Sequence, residues 1–206
     1  MKNWAYPLAA VTFVVFLLLA INYEKLFTVE FDTTMSSLLG GNELLILFHY
    51  IGDTIFVVCV ALITMLVLWI RGRNYRGMLF VLLTVAAGNL LNQLLKAIFE
   101  RPRPEIVEQL TSYSFPSGHS MTGVLYLLAL AYLVSEVLIV RKQIIGVWVV
   151  AVTLACLIGL SRIAESRHFA TDVLAGWSMG YTWFVVCVIW YEYSKRRTAK
   201  NKRLRN

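Results

Sequence analysis

The chain alternates between long apolar runs and short polar intervals. A helix needs about 20 mostly apolar residues to cross the hydrocarbon layer, and six such runs can be marked: roughly 4 to 22, 45 to 70, 77 to 98, 119 to 140, 144 to 162 and 172 to 194. The second run carries Asp53 and the fourth Glu136, both near predicted ends, where a charge is cheapest. The pattern therefore predicts an all-α fold, one integral-membrane domain over residues 1–206 with six transmembrane helices. Residues 8 to 21 resemble a signal-peptide core behind Lys2, but they run into Asn22-Tyr23-Glu24-Lys25 with no small-residue cleavage site. They are read as the first membrane helix.

Composition agrees: 59% of residues are hydrophobic and the mean hydropathy is +0.68, above what a soluble globular chain carries. The net charge of +7 is decided by where the basic residues lie. Lys2, then Arg71, Arg73 and Arg76, then Arg141 and Lys142, then a tail from Lys195 to Arg205 with seven Lys or Arg all fall on one side. Cytoplasmic loops keep an excess of Lys and Arg, so this side, with both termini, is expected in the cytoplasm. The tail suits anionic headgroups; the bilayer is the partner implied, and nucleic acid is not. Cys59, Cys156 and Cys187 sit inside apolar runs without redox or metal spacing and are read as small hydrophobes.

The opposite side receives residues 23–44, 99–118 and 163–171, with Glu24, Glu30, Asp32 and Glu43. Segment 23–44 ends in Leu39-Gly40-Gly41-Asn42 and suits a short interfacial helix and turn, serving either as a lid or as a plain connector. Lys96, Arg101, Arg103, Arg162 and Arg167 break the charge rule on this face, and each lies in or beside one of three polar clusters.

Those clusters carry the candidate chemistry. In the first, Lys96 at the end of the third run and an arginine of Arg101-Pro-Arg103-Pro104 reach one outer pocket, with the register between Arg101 and Arg103 open. Cations placed there near lipid call for an anionic partner. In the second, Pro116-Ser117-Gly118-His119 runs straight into a helix. Ser117 is a natural N-cap, and the free N–H groups behind Gly118 make a phosphate seat. In the third, Arg162 ends the fifth run and His168 precedes Asp172 by four residues, the spacing that puts imidazole and carboxylate on one helical face.

Asp172 then orients His168, leaving its other ring nitrogen free to attack phosphorus. His119 is placed to protonate the leaving oxygen and later to activate water. Lys96, Arg103, Arg162, Ser117 and the Gly118 N–H would hold the equatorial oxygens. Nothing in this arrangement requires a metal or a cofactor.

These residues resemble the signature of the type 2 phosphatidic acid phosphatase superfamily, shared with bacterial acid phosphatases and vanadium haloperoxidases. Lys96, six residues, Arg103-Pro104 match its first motif and favour Arg103 over Arg101. Pro116 to His119 match the second; Ser161, Arg162, His168 and Asp172 match the third. The resemblance implies a phosphohistidine intermediate on His168 and metal-independent hydrolysis. Small bacterial six-helix members resemble the chain most, which implies a membrane lipid phosphate substrate, phosphatidylglycerol phosphate or undecaprenyl diphosphate. A phosphotransferase using an alcohol acceptor and a non-catalytic lipid-phosphate binder or transporter are the alternatives.

The third motif departs from the family between Arg162 and His168, where Ile163-Ala-Glu165-Ser-Arg167 replaces the usual aromatic or glycine. Glu165 and Arg167 are expected either to touch a headgroup or its leaving group, or to pair with each other. Elsewhere, His49 and Asp53 are read as interfacial polar residues rather than a relay or metal pair. Asn89, Asn92 and Gln93 are read as interhelical hydrogen-bonding residues, with Asn92 one turn before Lys96.

Overall fold

A computed structural model describes residues 4–105 and 111–203. Lys2, the Arg205 end of the basic tail and residues 106–110 of the expected outer segment lie outside the described residues. Every regular element among those described is helical. The order is α1 (Ala5–Asn22), α2 (Leu26–Leu39), the single turns α3 (Glu43–Ile46) and α4 (His49–Gly52), α5 (Thr54–Gly72), α6 (Tyr75–Val81) and α7 (Ala87–Phe99), then α8 (Gly118–Ser135), α9 (Arg141–Ala164) and α10 (Ala170–Arg203). Among the described residues six helical stretches are long and apolar enough to cross a membrane, α6 and α7 forming one of them across a π turn at Leu82–Ala86. The π turn displaces a backbone carbonyl from the regular ladder, and the Leu83 oxygen accepts the Trp183 indole N–H at 2.9 Å.

The expected second run is corrected at its start. Residues 45–53 break into α3 and α4, and the span begins at Thr54 because Asp53 caps it, accepting the Ile55 N–H at 2.8 Å. His49 makes its own local bond, Nδ1 to the Ile46 oxygen at 2.9 Å. The fourth span also ends earlier than expected, at Ser135.

Helix α8 is the axis of the bundle, with most of its residues buried against α9 and α10 while α5 faces outward almost entirely. In lipid, close packing of small residues does the work that the hydrophobic effect does in water. Gly176 and Gly180 of α10, four apart, lie against the α8 backbone; a Cβ on Gly176 would stand 2.7 Å from the Ser117 oxygen and one on Gly180 3.0 Å from the Met121 oxygen. That closeness lets the Ser117 N–H donate to the Asp172 carbonyl at 3.0 Å, locking the second cluster to the third. At the far end of the bundle Lys195 pairs with Glu136 at 2.5 Å and Arg76 donates to Thr198 at 2.7 Å.

Candidate active site

The end of α7, the start of α8, the end of α9 and the start of α10 meet at one end of the bundle, so the three sequence clusters converge. Ser117 caps α8 as expected, its hydroxyl accepting from the Ser120 N–H at 3.4 Å and the Ser120 hydroxyl at 2.9 Å. Asn92 steadies this junction by donating to the Pro116 oxygen at 3.2 Å. Its Oδ1 is buried without a partner, and a side chain on Gly118 would stand 3.2 Å from it. Asn89 and Gln93, by contrast, lie on the exposed face of α7; of the three amides expected to bond between helices, only Asn92 faces inward.

Lys96 is buried at the end of α7, donating to the backbone oxygens of Tyr113 and, at 3.3 Å, Ser114. Two of its three ammonium hydrogens are thus used. Arg103 is fixed by the Ser112 backbone oxygen at 2.7 Å and the Ser112 hydroxyl at 2.9 Å, and its Nη1 bonds the Arg167 oxygen at 2.8 Å and faces His168 Nε2 at 3.1 Å. The two arginines of the double Arg-Pro part in space: Arg103 faces His168 Nε2. Arg101 turns the other way, to Asp172 Oδ1 at 2.6 Å.

His168 is carried by a tight reversal. Ser166, at φ 55°, takes the left-handed conformation that ends a helix, and the Arg167 and His168 N–H groups both donate to the Arg162 oxygen, at 3.0 and 3.2 Å. The imidazole Nδ1 comes to rest 3.4 Å from Asp172 Oδ2, the pairing expected from their spacing. Burial pushes the His168 imidazole down to about 4, with the nearby Asp172 carboxylate opposing it. The ring is therefore neutral at pH 7, with one nitrogen carrying a lone pair. Asp172 Oδ2 also accepts the Phe169 N–H at 2.9 Å and the Ser114 hydroxyl.

Arg162 is buried as well, with Nη1 on Glu165 Oε2 at 2.5 Å and Nε without a partner. Arg167 Nε lies 3.6 Å from the other Glu165 oxygen. Of the two expectations for Glu165 and Arg167, mutual pairing is the arrangement present, with Arg162 drawn in. His119 is half-buried in the first turn of α8 against α4; a side chain on Gly52 would come within 3.2 Å of its ring.

Ser114, Thr171 and Asp32 join the site without a sequence signal, and Arg101, the other arginine of the double Arg-Pro, joins them. Asp32, from α2, accepts the Thr171 N–H at 2.7 Å, the Thr171 hydroxyl at 2.8 Å and Arg101 Nη2 at 2.9 Å. Segment 23–44 is thus built into the site rather than looped past it. Between α2 and the 101–104 segment lies a cavity of about 660 Å³ whose lining includes Tyr23, Asp32, Ser36, Pro104, Phe169 and His168.

The family model of the PAP2 superfamily matches residues 77–196, a span that holds all three clusters and the helices that position them. The chain belongs to the PAP2 superfamily. A curated PAP2 relative, phosphatidylglycerophosphatase B of Bacillus subtilis (strain 168), is 33% identical over 162 residues, 77% of this chain and 79% of that protein. The crystal structure of a transmembrane PAP2-type phosphatidylglycerolphosphate phosphatase from Bacillus subtilis matches with a TM-score of 0.81 and 29% identity, covering 90% of this chain and 96% of that one. This PAP2 protein is a multi-pass membrane phosphatase.

Proposed function

We propose that the protein hydrolyses a phosphomonoester or diphosphate of a membrane lipid, phosphatidylglycerol phosphate and/or undecaprenyl diphosphate, through a phosphohistidine on His168 at the extracytoplasmic face of the cell membrane. The observation that carries this reading is the placing of the His168 ring, with Nδ1 3.4 Å from Asp172 Oδ2 and Nε2 3.1 Å from the Arg103 guanidinium. A nucleophile oriented on one nitrogen and faced by a cation on the other suits an incoming phosphoryl group. The name of the Bacillus relative favours the glycerophosphate substrate. The excess of Lys and Arg at the opposite helix ends favours the extracytoplasmic placement and cytoplasmic termini.

The lone pair of Nε2 attacks phosphorus, and the bond from phosphorus to the leaving oxygen breaks as His119 delivers a proton to that oxygen. Asp172 stabilises the charge that the ring acquires. His119, now unprotonated, takes a proton from water; the hydroxide oxygen attacks the phosphohistidine, the N–P bond breaks and inorganic phosphate leaves. Arg103, Lys96 with its remaining hydrogen, Arg162 and the N–H groups behind Ser117 and Gly118 bind the equatorial oxygens throughout. No step calls for a metal or a cofactor. The lipid tail stays in the bilayer and supplies binding.

The test is phosphate release in detergent and EDTA from phosphatidylglycerol phosphate and undecaprenyl diphosphate, for wild type and His168→Ala. Release by the wild type alone is expected, and the ratio of rates ranks the lipids. A phosphorylated alcohol in place of free phosphate would mark a phosphotransferase. Binding without turnover would mark a lipid-phosphate binder.

A further inference from the structure

Arg101 is the first-cluster arginine that does not face His168, and its guanidinium bridges two buried carboxylates. Nη1 donates to Asp172 Oδ1 at 2.6 Å and to the Thr171 hydroxyl at 2.7 Å, while Nη2 donates to Asp32 Oδ2 at 2.9 Å. Its flat faces meet the Tyr23 and Phe169 rings, 4.8 and 4.2 Å from their centroids. Only 6% of Arg101, 4% of Asp32 and none of Asp172 is exposed, so each charge depends on its partner's position.

The bonds around Asp172 divide cleanly. Oδ2 serves Ser114, the Phe169 N–H and the His168 ring; Oδ1 serves Arg101. Rotation of the carboxylate would therefore break a charge-assisted bond to Arg101. Arg101 in turn cannot slide, because Asp32 holds its other amino group and is itself held by the Thr171 N–H and hydroxyl. A lysine offers one compact ammonium in place of the two forked nitrogens that here each hold a carboxylate.

We propose that Arg101 is a positioning residue for Asp172, and that Asp32 of α2 fixes Arg101 in that task, so the aim of the His168 ring depends on a helix outside all three motifs. The inference rests on His168 being the nucleophile. It adds a strut, Asp32 to Arg101 to Asp172, that transmits the docking of α2 to the reactive nitrogen.

The full-length protein in detergent, turning over phosphatidylglycerol phosphate, tests the strut through Asp32→Asn, Arg101→Lys, Arg101→Gln and the Asp32→Asn/Arg101→Gln pair, with thermal midpoints as the folding control. Loss of aim acts on turnover, so Arg101→Gln is expected to lower kcat about 100-fold and Asp32→Asn about tenfold, with KM within about twofold. Arg101→Lys, reaching a single carboxylate, falls between them. Because both act through one carboxylate, the double variant is expected to be no worse than Arg101→Gln alone. If Arg101→Gln does not fold, Asp32→Asn and Arg101→Lys still decide the matter. Unchanged kcat in these two, a change confined to KM, or multiplicative losses in the double variant would overturn the strut. Wild-type release by His168→Ala would instead overturn the nucleophile reading beneath it.

Discussion

Nη1 of Arg103 lies 3.1 Å from Nε2 of His168, on a guanidinium already anchored through its other nitrogens to Ser112. The cation is thus preorganised at the nitrogen expected to attack, where charge on the transferring phosphoryl group develops. Arg103→Lys keeps the charge but loses the fork. A kcat loss of about 100-fold is expected, in the range seen when one preorganised donor is removed. Steady-state phosphate release by wild type and variant checks it; a kcat within about twofold of wild type would remove Arg103 from the transition state.

The range of each contact decided whether the sequence disclosed it. His168, in the turn before α10, and Asp172, in that helix's first turn, are four residues apart, and Ser117 caps the helix it precedes, so local spacing suffices for both. Lys96 and Arg103 needed only the rule that outer helix ends meet. Asp32 and Arg101 are 69 residues apart in the chain, and their pairing arises only when α2 folds back over the start of α10; an acid in an amphipathic outer segment gives no sign of that. Ser114 was hidden for a similar reason, since it reaches Asp172 across 58 residues.

The fold shows the same division. Apolar length alone disclosed six spans, while the run from 45 to 70 concealed a break because Leu45 to Ile51 is nearly as apolar as the helix beyond it. The sign was present in Gly52-Asp53-Thr54, a helix stop leading into an N-cap. The Gly176 and Gly180 pair, which sets the closeness of α8 and α10, was also legible as a small-residue repeat but had no known partner until the helices were assembled.

Ser114 donates its hydroxyl to the same Asp172 oxygen that faces His168 Nδ1. Ser114→Ala leaves that oxygen with fewer restraints and the ring less well aimed. A fall in kcat of about tenfold with little change in KM is expected; kinetics on the purified variant, with its thermal midpoint as control, decide it. An effect on KM alone would assign Ser114 to binding.

Glu165 occupies Arg162 Nη1 at 2.5 Å, a group proposed to bind phosphate. Substrate must compete with this partly exposed ion pair, worth about 1 kcal/mol at most, so Glu165→Gln is expected to lower KM roughly fivefold. kcat should change little. A raised KM would show that Glu165 orients Arg162 for substrate instead of competing with it.

The depressed titration of His168 has a consequence for acid stability. Unfolded, a histidine binds its proton near about pH 6.5; folded, His168 does so only at about 4. Between these values the unfolded chain binds more protons, so stability falls as pH drops through that window. Thermal midpoints measured from about pH 7 down to about 4.5 should decline more steeply for wild type than for His168→Gln. Parallel profiles would mean that the folded ring is not shielded.

The central claim is a covalent phosphoryl group on His168. Phosphatidylglycerol phosphate labelled in its terminal phosphate would be mixed with wild type, His119→Ala and His168→Ala, and the reactions quenched in alkali, where phosphohistidine survives. Label is expected on the wild-type protein, to form and to turn over more slowly on His119→Ala, to be released by acid and to be absent from His168→Ala. Label retained by His168→Ala, or phosphate release with no labelled protein in either of the others, would contradict the account.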